Sequence, residues 1–179
     1  MAGTRCTLPF ISLSSLEGKA LAQMDFGEAG LSSYPRVEIT GSAEGLKGYA
    51  VLIDEESRVP ALPRGSLAVF SPAGGNAMDG VYSLALREGG PAVKRLLSGP
   101  PAETGEGAAP ARVRKSFMTP TPLHVPGSRV SPIPGDAHER LFLMALSGEG
   151  PVVIVSRAGV LYLHPLRGVV AAGNFSVPG

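Results

Sequence analysis

GYAVLIDEESRVPALPRGSLAVF, residues 48–70, decides the fold. Its first seven residues form an apolar run of strand length. Ser66 to Ser71 forms the next strand. Between them lies the polar loop EESRVPALPRG, where Pro60, Pro63 and Gly65 forbid a regular helix. Strand, tight polar loop, strand is therefore the local pattern, and the flanking sequence extends it. Arg36 to Thr40 alternates apolar and polar residues upstream. Downstream, PAGGNAMDG turns the chain into a strand from Val81 to Arg87, and REGGP supplies a hairpin turn into Ala92 to Leu97. The last third predicts four more strands: Arg140 to Ser147, Pro151 to Ser156, Val160 to His164 and Arg167 to Ala172.

Two stretches depart from this pattern. Residues 98–136 open with SGPPAETGEGAAPA, a solvated loop or linker by composition, and continue through one strand candidate, Arg112 to Met118, into a proline-rich passage. Residues 1–35 combine a short apolar run with Leu16, Ala20 and Met24 at helical spacing. Gly18, Gly27 and Gly30 weaken a helix there, and a mostly extended arm is expected. The expected organisation is an arm over 1–35 and one mostly-β domain over 36–179, interrupted at about 98–136. With 24 glycines and 17 prolines in 179 residues, short strands and many turns are favoured over long helices.

Composition narrows the function. A formal charge of +1 and only ten aromatic residues supply neither the basic face nor the stacking platform of a nucleic-acid binder. No stretch of the chain approaches 18 consecutive apolar residues. The single Cys6 excludes an internal disulfide and suits a reducing cytoplasm. His124, His138 and His164 show no metal-ligand spacing, so they read as surface or strand residues, and neither a metal nor a cofactor is expected.

The chemistry-bearing pair is Ser57 and Lys94. Serine becomes a nucleophile when a base removes its proton, and lysine serves as that base when its own charge is destabilised by burial. Ser57 lies on the tight turn after the apolar strand. Lys94 lies in PAVKRLL, where alternation places it on one face with Ala92 and Leu96, and Arg95 on the other with Val93 and Leu97.

Residues 48–97 resemble the self-cleaving serine–lysine peptidase domain of LexA, UmuD and the phage cI-type repressors. The resemblance is carried by GYAVLID, E-S-R-V-P (56–60), P-R-G-S-L-A-V (63–69), D-G-V-Y-S-L (79–84) and V-K-R-L-L (93–97), in that order. Ser57 and Lys94 stand 37 positions apart, about the family interval, and L-R-G-V-V-A (166–171) looks like the family's closing strand. It implies short, strongly twisted antiparallel sheets with little helix, Ser57 as nucleophile and Lys94 as base. It further implies a cytoplasmic homodimer formed through a C-terminal strand near 160–172, an activated RecA filament as partner, and DNA contacted only through a helix-turn-helix domain outside this chain.

The family's scissile bond lies in an upstream arm, and two places fit: Ala29-Gly30, 28 positions before Ser57, and Glu17-Gly18. Four positions depart from the family pattern: Glu56 for aspartate, Arg58 for methionine, Ser66 for an acidic residue and Val81 for aspartate. These favour an alternative, a non-cleaving dimerisation and regulatory module of the same fold. A UmuD-like polymerase accessory subunit is the third reading. Signal peptidase shares the chemistry but ranks last, because it needs a membrane anchor.

Overall fold

The computed structural model describes residues 5–19, 24–41, 45–73, 79–97, 114–115 and 139–179. Eleven strands and two short helices are present among them: β1 (Arg5–Pro9), α1 (Leu13–Leu16), α2 (Glu28–Ser32), β2 (Arg36–Thr40), β3 (Tyr49–Leu52), β4 (Leu67–Phe70), β5 (Gly80–Leu86), β6 (Gly90–Leu97), β7 (Arg114–Lys115), β8 (Arg140–Met144), β9 (Val153–Ser156), β10 (Val160–Val170) and β11 (Phe175–Ser176). They form a mostly-β fold of two sheets. The smaller has the order β1-β2-β11, and the larger the order β3-β4-β10-β5-β6-β8-β9-β7. Neighbours are antiparallel except β7 beside β9.

Among the described residues the expected strands fall on β2 to β6 and β8 to β10, and the REGGP hairpin turn is present. Leu86 pairs with Gly90, so Arg87, Glu88 and Gly89 make a three-residue hairpin loop. Gly90 closes it at φ +71°, a backbone conformation that glycine adopts without a Cβ penalty. Gly48 is required for a different reason: a Cβ there would stand 1.9 Å from the Phe70 carbonyl oxygen, so only glycine lets β3 begin against the end of β4.

The two strands expected near 160–172 are one. Residues 160–165 of β10 pair with β5 and residues 166–170 pair with β4, with a register shift between Leu166 and Gly168. A strand that changes partner midway holds two parts of a sheet together, and the irregularity supplies the bend. The strand expected to present an edge to a second copy thus lies inside the sheet order, and it offers no uninterrupted edge along its length.

The chain before residue 36 is less of an arm than expected. β1 pairs with β2 over five residues. Leu8, Ile11, Leu16, Met24, Phe26 and Leu31 are all buried. Five of these join the main core with Tyr49, Val51, Leu62, Phe70, Val93, Leu146 and Tyr162, while Leu8 joins a second cluster under the small sheet. Burying a large apolar side chain contributes about 1.5–3 kcal/mol, enough for six to outweigh the helix-weakening glycines between them. A third cluster, including Tyr82, Leu84, Leu96 and Leu143, fills the other face of β5, β6 and β8. Of the 98–136 stretch, only Arg114–Lys115 is described, as strand β7; the rest of it, with His124, lies outside the described residues, as does His138. No described helix is long and apolar enough to cross a membrane.

Candidate functional site

Ser57 occupies the turn between β3 and β4, ahead of Pro60 and Pro63, which keep that segment out of regular helix. The turn is held from three sides. The Arg58 N–H donates to the Leu146 carbonyl at 2.9 Å, and the Gly65 N–H donates to the Ile53 carbonyl at 2.7 Å. Val59 packs on the main core. Ser57 is half-buried, and its Oγ accepts from the Val59 N–H at 3.2 Å. That bond orients the oxygen and leaves the hydroxyl proton available to a base. Among the described residues no backbone carbonyl accepts from the Ser57 N–H, whereas the Arg58 N–H is taken by Leu146.

Lys94 lies midway along β6, half-buried, with Tyr82 as its cross-strand neighbour on β5. The alternation expected for this strand is observed. Val93 enters the main core and Leu96 the cluster on the opposite face, while Arg95 is exposed.

Two observations relate the serine turn to the strands around Lys94. β8 pairs with β6 through Leu97↔Phe142, Leu96↔Leu143 and Arg95↔Met144, and Leu146, two residues beyond that ladder, accepts the Arg58 N–H. The second is electrostatic. Desolvation raises the Glu55 carboxyl above its usual range, the charge of Lys94 pulls it back down, and Asp54 pushes it up.

The departures from the family pattern have local explanations. Glu56 pairs with Arg64 at 3.3 Å, and Arg58 forms an ion pair with Glu149 in the turn after β8. All four side chains are well exposed, so each pair contributes less than about 1 kcal/mol. Ser66 is buried and donates to the Pro63 carbonyl at 2.5 Å, tightening the bend into β4. Val81 lies in the main core, where an unpaired aspartate would be costly.

The two expected cleavage positions have different surroundings. Ala29 and Gly30 are inside α2, and a Cβ on Gly30 would come 2.3 Å from the Asp25 carbonyl oxygen. That contact accounts for the glycine by packing alone. Glu17 and Gly18 are exposed in the turn that follows α1, and α1 packs against β6, the strand that carries Lys94.

A second serine lies in a polar cluster that the sequence analysis missed. Tyr49 donates to Ser83 Oγ at 2.9 Å, and the Tyr49 oxygen lies 2.7 Å from His164 Nδ1. With one hydroxyl proton, Tyr49 accepts from that nitrogen, which assigns His164 the Nδ1–H tautomer. Phe26 packs against Tyr49, Tyr162 and His164 with ring centroids 5.3, 4.6 and 4.6 Å away. Burial lowers the His164 pKa to about 3, so the ring is neutral at pH 7, and burial raises both tyrosines. Ser83 and Tyr49 are fully inaccessible, so no substrate reaches this serine. The signal was a polar residue in each of two apolar strands, VYSLAL and LYLHPL.

Among the described residues no group of three or more His, Cys, Asp or Glu side chains could hold a metal ion. Compared with known proteins, the chain matches no family model, no curated protein and no solved structure.

Proposed function

We propose that this chain is a regulatory peptidase-like domain of the LexA and phage-repressor type, in which Ser57 is the nucleophile and Lys94 its general base. The observation that carries this reading is the link from the Ser57 turn through the Arg58–Leu146 hydrogen bond to the strand beside Lys94. The mostly-β architecture and the order of the motif-bearing strands support it.

In this mechanism Lys94 first loses a proton to solvent. The neutral amine then accepts the Ser57 proton while Oγ attacks the carbonyl carbon of the scissile peptide. The Ser57 N–H is the donor best placed by its freedom to hold the developing oxyanion, since the Arg58 N–H is occupied. Lys94 returns its proton to the leaving amine and then activates the water that hydrolyses the acyl-enzyme. Glu17-Gly18 is the preferred bond, because it is exposed beside an element packed on β6, whereas Ala29-Gly30 would have to leave α2 first. A homodimer, cytoplasmic location and activation by a RecA filament belong to the same reading.

The helical setting of Ala29-Gly30 favours one alternative, the same fold kept as a non-cleaving dimerisation module. Intact mass of the purified chain, followed for a day at pH 7 and at about pH 10, separates the two, because an alkaline medium deprotonates lysine. A fragment cut near residues 17–30, absent from Ser57→Ala and Lys94→Ala, upholds the peptidase. An unchanged mass in all three overturns it in favour of the module.

A further inference from the structure

Far from the Ser57 turn, the connection from β9 to β10 collects buried polar atoms that the chain leaves without partners. Of four such side-chain atoms among the described residues, three are Ser156 Oγ, Arg157 Nε and Arg87 Nη2. Ser156 ends β9, and Arg157 opens the single helical turn Arg157–Gly159 that leads into β10. Arg87, just beyond β5, is fastened to that same turn. Its backbone N–H donates to the Gly159 carbonyl and its Nε to the Ala158 carbonyl, both at 3.1 Å. Arg157 is only 4% exposed. It has one carboxylate: its Nη2 meets Glu139 Oε2 at 2.7 Å, and its backbone N–H donates to the Glu139 carbonyl at 2.9 Å.

We infer that this connection binds an oxyanion of the phosphate type, held by Arg157, Arg87 and the Ser156 hydroxyl. Two guanidinium nitrogens and a hydroxyl can all donate, so the group they lack is an acceptor. A guanidinium N–H that has given up water without gaining an acceptor is costly, and a charged one more so. Two cations make the fitting acceptor an anion. Three donors from three side chains match the several oxygens of a phosphate, a geometry that arginine recognises well. A single water molecule brings no charge to offset two guanidiniums. This inference stands apart from the Ser57–Lys94 reading.

The donors themselves are inaccessible, so the ion enters by displacing a side chain, and Glu139 is the one free to move. Its side chain is half-exposed, and Arg87 is half-buried, so both reach the surface. When Glu139 swings into water, the incoming anion takes over its hold on Arg157. Two further charges lie close in the fold. Arg140 is exposed and stands opposite Ser156 across β8 and β9. Glu88 follows Arg87 in the hairpin loop and is exposed. Glu139 is thus the competitor that the anion replaces.

Inorganic phosphate titrated into the full chain at constant ionic strength, followed by backbone amide NMR, tests the site. The amides of residues 87 and 156–159 should shift saturably with phosphate, and chloride should leave them in place. Arg87→Gln should weaken binding about tenfold, the loss expected for one charge-assisted hydrogen bond. Glu139→Gln should tighten it, because the ion no longer displaces a carboxylate. Both variants keep the buried Arg157, whose own replacement threatens folding. Glycerol 3-phosphate binding as tightly as phosphate upholds the site as one for a phosphoryl group on a larger molecule, and exclusion of the ester upholds it as one for the free ion. Acetate binding as tightly as phosphate overturns the phosphate class. Absence of a saturable shift, a shift that chloride reproduces, or equal affinity in the parent and Arg87→Gln overturns the site altogether.

Discussion

Two serines in this chain have opposite settings. Ser83 sits at the centre of the fold, bonded to Tyr49, which is bonded to His164, under the Phe26 ring. Ser57 sits on a turn, half-buried, among acids and arginines with water on one side. The better hydrogen-bonded serine is the one that cannot meet a substrate. Its network satisfies polar atoms that the strands bring into the core, and its value is stability. The looser serine accepts only the Val59 N–H, and under the proposed function its uncommitted hydroxyl proton is what a slow, regulated nucleophile needs. Neatness of a hydrogen-bond network is therefore a poor guide to chemistry unless access is weighed with it.

That contrast can be broken by mutation. The largest effect should come from Phe26→Ala, which empties the space over three rings and should cost about 3–5 kcal/mol of unfolding free energy in urea. Such a loss would also show that the chain before residue 36 is part of the folded core. Tyr49→Phe should cost about 1–3 kcal/mol, because Ser83 and His164 lose a partner while remaining buried. A cost near zero would mean that the cluster is not the stabilising centre argued here.

The His164 ring gives the same contrast a pH signature. Its pKa of about 3 in the folded chain lies below the usual 6.5, so the unfolded state binds the proton first. Its contribution is fully present above about pH 6.5 and is lost as pH falls toward 3, with a slope of up to about 1.4 kcal/mol per pH unit. Glu55, raised by burial, shifts stability the opposite way as pH falls, so the histidine is isolated by comparing the parent with a His164 variant between about pH 6.5 and 5. His164→Gln should flatten the curve there, and an equally steep curve in that variant would remove His164 as its cause. The smallest effect belongs to the turn: Ser57→Ala should change stability by less than about 0.5 kcal/mol. A loss as large as that of Tyr49→Phe would make Ser57 a structural serine like Ser83.

Much of the fold was legible because strands announce themselves locally. The alternation of Arg36 to Thr40 and the apolar runs at 48–54 and 66–71 fall on β2, β3 and β4, and the glycines of REGGP fall on the β5–β6 turn. The first 35 residues were less legible. Gly18, Gly27 and Gly30 suggested an extended arm, yet Ile11, Leu16, Met24, Phe26 and Leu31 find partners in strands that arrive later in the chain. Local propensity carries no information about such partners.

By itself the sequence determined the alternation of strand and turn, the faces of β6 that Lys94 and Arg95 occupy, and the turn on which Ser57 must lie. These follow from backbone geometry over a few residues: the two-residue repeat of a strand, and the constraints of proline and glycine. Only the tertiary structure decided that 160–170 is one strand changing partner between β5 and β4, and that Leu146, in the segment after β8, holds the Ser57 turn. It also decided that Tyr49, Ser83 and His164 meet in the dark of the core. Each of these joins residues from distant parts of the chain, and such contacts depend on how whole sheets close over apolar surface, which no local pattern encodes.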